Sequence, residues 1–254
     1  MQEYSDELIF EELDYIETDL GAISLRRRSE PRLDGLIIYE VKLNDEFLMS
    51  SLFVEAEEQL STLALKRLRM NGHHDQLDVV VGGLGLGYTA LTALQDTAVA
   101  RLRTIDVMQP VINWHRSGVL PVGDVLASES RSELIQGDFF AISTDAKQGF
   151  LDEHQVDAVL LDIDHSPSHW LNEHNKSFYS LDSLTAMSRK IKPNGVFALW
   201  SNDLPDIHFV EQLKQVFTDC EAHVVAFPNP YSGGESTNSV YVCTVGEQNA
   251  TSIV

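Results

Sequence analysis

The sequence predicts an α/β architecture: a mostly parallel sheet with helices on both faces, preceded by a small antiparallel β-meander. Three observations carry that prediction. Asp78-Val79-Val80-Val81-Gly82-Gly83-Leu84-Gly85-Leu86-Gly87 runs from β-branched residues into a glycine-dense turn. This is the pattern of a buried parallel strand feeding a helix N-terminus. Downstream, strand-like and helix-like segments alternate, which makes the strands mostly parallel and puts helices on both sides of them. The last two strand-like segments are joined by residues 227–238, which hold Pro228, Pro230 and Gly233-Gly234. A connection that short excludes a helical crossover, so this final pair is expected to be antiparallel.

In chain order, residues 1–17 are acidic with a few apolar positions and predict no element. Between residues 21 and 51 the signals are β: Ala22-Ile23-Ser24-Leu25, Leu36-Ile37-Ile38-Tyr39-Glu40-Val41 and Glu46-Phe47-Leu48-Met49, with turns at Pro31, Asp34-Gly35 and Asn44-Asp45. Arg26-Arg27-Arg28 reads as a solvated strand edge or turn. A helix is expected over 53–70, where Leu60, Leu63, Ala64 and Leu68 share a face, with a stop at Asn71-Gly72. Strands follow at 79–81, 102–107, 134–136, 156–161, 196–200, 222–226 and 239–245. Helices are expected at 88–94, from 110, at 180–191 and at 207–217. The division is a β-rich segment over 1–52 and an α/β domain over 53–254.

Composition narrows the partners. Asp and Glu number 39 against 18 Lys and Arg, a formal net charge of −21. Such a surface repels nucleic-acid backbones and anionic membranes, and it steers a cationic small molecule inward. No stretch reaches transmembrane length, and the acidic N-terminus is unlike a signal peptide. Cys220 and Cys243 make no disulfide framework and read as core thiols. A soluble, cytoplasmic protein is expected.

Taken alone, the glycine run fits two ligands. Gly85-Leu86-Gly87-Tyr88-Thr89-Ala90 satisfies the dinucleotide pattern G-x-G-x-x-A, with Asp106 near the ribose-binding position, as in an NAD-dependent dehydrogenase. Gly83-x-Gly85-x-Gly87 equally satisfies the looser pattern of S-adenosylmethionine enzymes. Residues further on separate the two. In Gly137-Asp138-Phe139-Phe140, Asp138 is placed to accept from an adenine amino group with Phe139 beside the ring. Leu161-Asp162-Ile163-Asp164 ends a strand, and Lys192-Pro193-Asn194-Gly195 introduces the next. This ordered series resembles the class I S-adenosylmethionine-dependent methyltransferase superfamily, which implies a Rossmann-like sheet with an antiparallel last strand.

Within that superfamily, residues 21–245 resemble the spermidine synthase (aminopropyltransferase) family. The segments that do so are the β-meander, Glu57-Glu58-Gln59-Leu60-Ser61-Thr62-Leu63-Ala64-Leu65, the glycine loop, Ile105-Asp106 with Val111-Ile112, the strand ending at Asp162, Phe178-Tyr179, and residues 228–234. The resemblance implies a catalytic aspartate at Asp162, a ribose-binding acid at Asp106, and a substrate-side loop that includes Tyr231. Two departures stand out. The family's Asp-x-x-Asp-Pro loop reads Asp162-Ile163-Asp164-His165-Ser166-Pro167 here. Its helix tyrosine and histidine read Ala56 and Thr62, with the intervening glutamate kept as Glu58.

The expected cofactor site is Gly83, Gly85, Gly87, Asp106, Asp138 and Phe139, holding S-adenosylmethionine or its decarboxylated form. An amine nucleophile must lose its proton before it attacks, so Asp162 and Asp164 are expected to hold it, with His165 as a base. Glu58, Trp170 and Tyr231 are the expected acceptor-binding residues. His165, His169 and His174 are not expected to bind a metal, because Pro167 interrupts their spacing and no cysteine is near. His73-His74 reads as solvated and Trp114 as core. The first expectation is methyl transfer to a small amine-like acceptor. The alternatives are aminopropyl transfer from decarboxylated S-adenosylmethionine, an NAD-dependent dehydrogenase, and a non-catalytic binding or assembly module. A homodimer is expected.

Overall fold

The computed structural model describes residues 3–44 and 46–247. Asp45, half of one expected turn, lies outside the described residues, while its partner Asn44 has the left-handed φ of 55° that such a turn needs. Four strands form a first sheet in chain order: β1 (Phe10–Thr18), β2 (Gly21–Glu30), β3 (Leu36–Leu43) and β4 (Glu46–Ser50), all antiparallel. Strand β1 is absent from the sequence reading because a bulge between Glu12 and Asp14 breaks its alternation. Only Leu13 and Ile16 of this strand, with Ile9 just before it, reach the core. The three arginines are not a solvated edge. They lie within β2, where Arg26 and Arg28 pair with Glu40 and Arg27 pairs with Glu11.

The second sheet has the order β10-β11-β9-β8-β5-β6-β7. Its strands are β5 (Leu77–Gly82), β6 (Val99–Asp106), β7 (Ser132–Gln136), β8 (Val156–Leu161), β9 (Ile191–Ser201), β10 (Asp219–Asn229) and β11 (Gly234–Thr244). The neighbours β7 through β9 are parallel, and β11 runs antiparallel to both β9 and β10. The expected mostly parallel sheet with an antiparallel strand near its end is therefore the one observed. Helices α1 (Glu55–Met70), α2 (Tyr88–Gln95), α3 (Gln109–Arg116), α4 (Gly123–Ser128), α5 (Phe139–Thr144), α6 (Leu181–Ser188) and α7 (Ile207–Leu213) cover the faces. Helix α1 ends at Asn71, ahead of Gly72 at φ 94°, as the sequence suggests. The six-residue helices α4 and α5 are too short to show a periodic pattern.

Alternation along β5 divides the core. Val79 and Val81 join one apolar cluster and Val80 the other, each fully buried. Each such side chain contributes roughly 1.5–3 kcal/mol. The first cluster also contains Ile23, Leu25 and Val41 of the meander, so the two sheets share one core. Trp114 lies in it as expected, and its indole donates to Asp14 of β1 (2.6 Å). His73 is not solvated. Its ring bridges Asp157 (2.8 Å) and the Pro193 carbonyl, fastening the turn before β5 to β8 and β9. Cys220 and Cys243 are buried free thiols. Among the described residues, no helix is long and apolar enough to cross a membrane.

Candidate active site

Beyond the carboxyl ends of β5, β6 and β8 lies a crevice of two adjoining cavities, about 320 and 520 Å³. Leu48, Met49, Gly85, Asp162, Ile163 and Leu171 line both. Strand ends at a topological switch are where open α/β sheets bind ligands, and β5 is that switch, with β6 on one side and β8 on the other.

The smaller cavity is built around backbone. Gly83, Gly85 and Gly87 have φ of 94°, 49° and 89°, in the left-handed region that favours glycine. A Cβ on Gly83 would run into the Asp162 carbonyl, and one on Gly85 would sit 2.9 Å from the Met49 sulfur. Asp106, at the end of β6, takes the Leu84 amide on one carboxylate oxygen (2.8 Å) and the Met108 amide on the other (2.7 Å). Burial raises its pKa against those bonds. Each oxygen keeps a second lone pair, so a ribose diol still finds acceptors in this wall. From below, His115 bonds the Gly85 carbonyl through Nε2 (2.9 Å). Burial pushes its pKa down to about 4, so the ring is neutral and Nε2–H is the donor.

The larger cavity is built from side chains. Asp162 follows β8, with its amide bonded to the Gly82 carbonyl (2.8 Å) and its carboxylate accepting from the Thr89 hydroxyl (2.7 Å). Glu57, in the first turn of α1, lines the same space. Burial pushes Asp162 up to about 6, opposed by the Thr89 bond. Burial, and after it the charge of Asp162, pushes Glu57 up to about 8. Two carboxyl groups that share a low-dielectric site hold one proton between them near neutral pH, leaving about one negative charge. Phe53, Trp200 and Phe227 form the remaining apolar wall, with Asn202 and residues 236–238 of β11.

The structure brings together Gly83, Gly85, Asp106, Asp138, Phe139 and Asp162 on the smaller cavity, and Gly85, Gly87, Asp162 and His165 on the larger. Asp138 is exposed and caps α5 by accepting from the Ala141 amide (3.1 Å). Phe139 is 2% exposed and stacks on Phe150, so it forms the cavity floor and the half-buried Phe140 is the more open ring. Four expected site residues stand elsewhere. Asp164 is buried and turned into its own loop, accepting from the Leu171 amide, the Asn175 amide group and the Tyr179 hydroxyl. Glu58 lies on the exposed side of α1. Trp170 donates to the Pro167 carbonyl and carries Lys176 over its ring, away from both cavity walls. Tyr231 reaches the meander, accepting from Arg28 and donating to Glu30 (2.8 Å each).

Sequence reasoning missed Glu57, Thr89, Trp200, Phe53, Phe227 and Asn202. For Glu57 a signal existed: it sits seven residues before Ala64 and three before Leu60, so it falls on the buried stripe of α1 where a charge needs a reason. The others come from separate segments that share no local pattern. Among the described residues, no group of His, Cys, Asp and Glu is arranged to hold a metal ion.

No protein-family model and no curated protein matches the chain. Solved structures do. A spermidine synthase in complex with the transition-state analogue AdoDATO matches with a TM-score of 0.68 at 16% identity, covering 92% of this chain and 72% of that one. The spermidine synthase from Thermotoga maritima gives 0.67 at 16% identity, covering 92% and 73%. A probable spermidine synthase from Corynebacterium glutamicum ATCC 13032 gives 0.60 at 14% identity, covering 91% and 79%. The chain therefore has the spermidine synthase fold, that of a class I methyltransferase sheet behind a β-meander.

Proposed function

We propose that this protein transfers an aminopropyl group from decarboxylated S-adenosylmethionine to a small amine. The observation that carries this reading is the charge of the crevice. Among the described residues no lysine or arginine lines either cavity, whereas Glu57 and Asp162 face the space beyond the glycine turn. A donor tail that ends in a carboxylate meets like charge there with no lysine or arginine to offset it. A tail that ends in an amine meets two carboxyl groups. Methyl transfer from S-adenosylmethionine itself thus becomes the weaker alternative. The likeness to a spermidine synthase that binds AdoDATO supports the same choice.

The residues divide the work. Gly83 and Gly85 let the nucleoside approach the backbone, Asp106 takes the ribose hydroxyls, and Asp138 takes the adenine amino group. The donor supplies a sulfonium whose neighbouring carbon is open to in-line displacement. Asp162, held by Thr89, orients the acceptor and takes its proton, freeing the nitrogen lone pair. A C–N bond forms as the C–S bond breaks, with the pair going to sulfur, and the positive charge passes to the product amine. Once Asp162 has passed its proton to solvent, it and Glu57 hold that charge. Most of the acceleration comes from alignment.

Calorimetric titration tests the reading. Decarboxylated S-adenosylmethionine is expected to bind at least tenfold more tightly than S-adenosylmethionine, with methylthioadenosine released once an amine is added. A preference for the carboxylated donor, or for NADH over either, overturns it.

A further inference from the structure

Building on that reading, we infer that the acceptor is a monoamine with an uncharged aromatic end, rather than a diamine. The carboxylates of the larger cavity are all at one place. Asp162 stands where the two cavities meet, Glu57 lines the same space, and no other Asp or Glu among the described residues lines it. The donor's own ammonium takes the single negative charge that this pair carries near neutral pH, so none is left for a second ammonium on the acceptor.

The rest of the wall holds no carboxylate for a second ammonium. Phe53 and Phe227 meet with ring centroids 5.5 Å apart, and Trp200 stands on β9 beside Asn202. Ser236 and Thr237 add neutral groups on β11, and the Asn238 amide is already committed to Asn202 (3.1 Å). Phe47, also on the wall, carries the Arg26 guanidinium at 4.8 Å and the Lys42 ammonium at 5.3 Å from its ring centroid. That ring is thus already occupied by cations. A second ammonium would lose its hydration here and gain only ring faces and neutral amides, a weaker return than a carboxylate gives. A flat apolar group fits these surroundings.

The test titrates 2-phenylethylamine, 4-(2-aminoethyl)phenol, 1-aminobutane and 1,4-diaminobutane calorimetrically into the full chain, with and without methylthioadenosine. The arylalkyl monoamines are expected to bind at least tenfold more tightly than 1,4-diaminobutane, with 1-aminobutane between them. Equal binding, or a preference for the diamine, overturns the inference. Thr237→Asp, at an exposed wall position, is expected to raise diamine affinity at least threefold more than it raises that of 2-phenylethylamine; an equal or smaller gain counts against the inference. Because these readouts are equilibrium affinities, they decide acceptor class even if no turnover occurs. Failure of the transferase reading shows separately, as absence of nucleoside binding.

Discussion

The two halves of the crevice are made of different material. The nucleoside half is mostly main chain: three left-handed glycines, an aspartate that clamps two amides, and a histidine that braces a carbonyl. The acceptor half is side chains gathered from α1, β9, β10, β11 and the loop after β8. A site made of backbone cannot be altered without disturbing the fold that shapes it. A site made of side chains can lose its chemistry and keep its shape.

Four perturbations should separate the halves, from the largest effect downward. Gly83→Ala forces an unfavourable φ and a collision with the Asp162 carbonyl. It should lower unfolding free energy by about 3–5 kcal/mol in urea and abolish nucleoside binding with it. A variant of full stability that still fails to bind would break the proposed link between fold and nucleoside site. Asp162→Asn should do the opposite. We expect kcat/KM to fall at least ~100-fold, with nucleoside affinity within about threefold and stability unchanged or higher, since a buried charge is removed. Loss of nucleoside affinity by calorimetry would place Asp162 in the other half.

The third perturbation is pH. Glu57 is raised from 4.5 to about 8 and Asp162 from 3.8 to about 6, so the native state holds protons that the unfolded chain has already released. Stability should therefore fall as pH rises from about 4 to 8 and level off above. Glu57→Gln should flatten the upper part of that window, by about 2 kcal/mol between pH 6 and 8 in denaturation curves. A slope unchanged by the substitution would remove Glu57 from the shared titration. The smallest effect belongs to Tyr231→Phe, which cuts the contacts from the β10–β11 turn to Arg28 and Glu30. We expect under about 1 kcal/mol of stability and faster proteolysis at residues 229–234. Proteolysis at the wild-type rate would mean that this contact does not hold the hairpin.

The same contrast explains what the sequence revealed. The glycine turn and Asp106 were legible because left-handed backbone and a strand-end acid leave a mark within a short window. So were the mostly parallel run of the main sheet and its antiparallel closing pair, since periodicity and connection length follow from local spacing. Strand β1 was not, because its bulge hides the alternation. The acceptor wall was not, because Phe53, Trp200 and Phe227 are drawn together only by tertiary packing. Asp164 shows the hazard of reading two acids on one extended segment: its three hydrogen bonds make it a loop fastener. Glu58 shows that a one-residue shift on a helix exchanges an inward position for an outward one.

Leu48 and Met49 of β4 touch both cavities, whereas Phe227, Trp200 and residues 236–238 touch only the larger. A change on β4 must therefore satisfy two ligands at once. A change on the hairpin answers to one. Divergence toward new nucleophiles, in nature or by directed evolution, should accumulate on the hairpin and β9, while β4 stays constrained by its double duty.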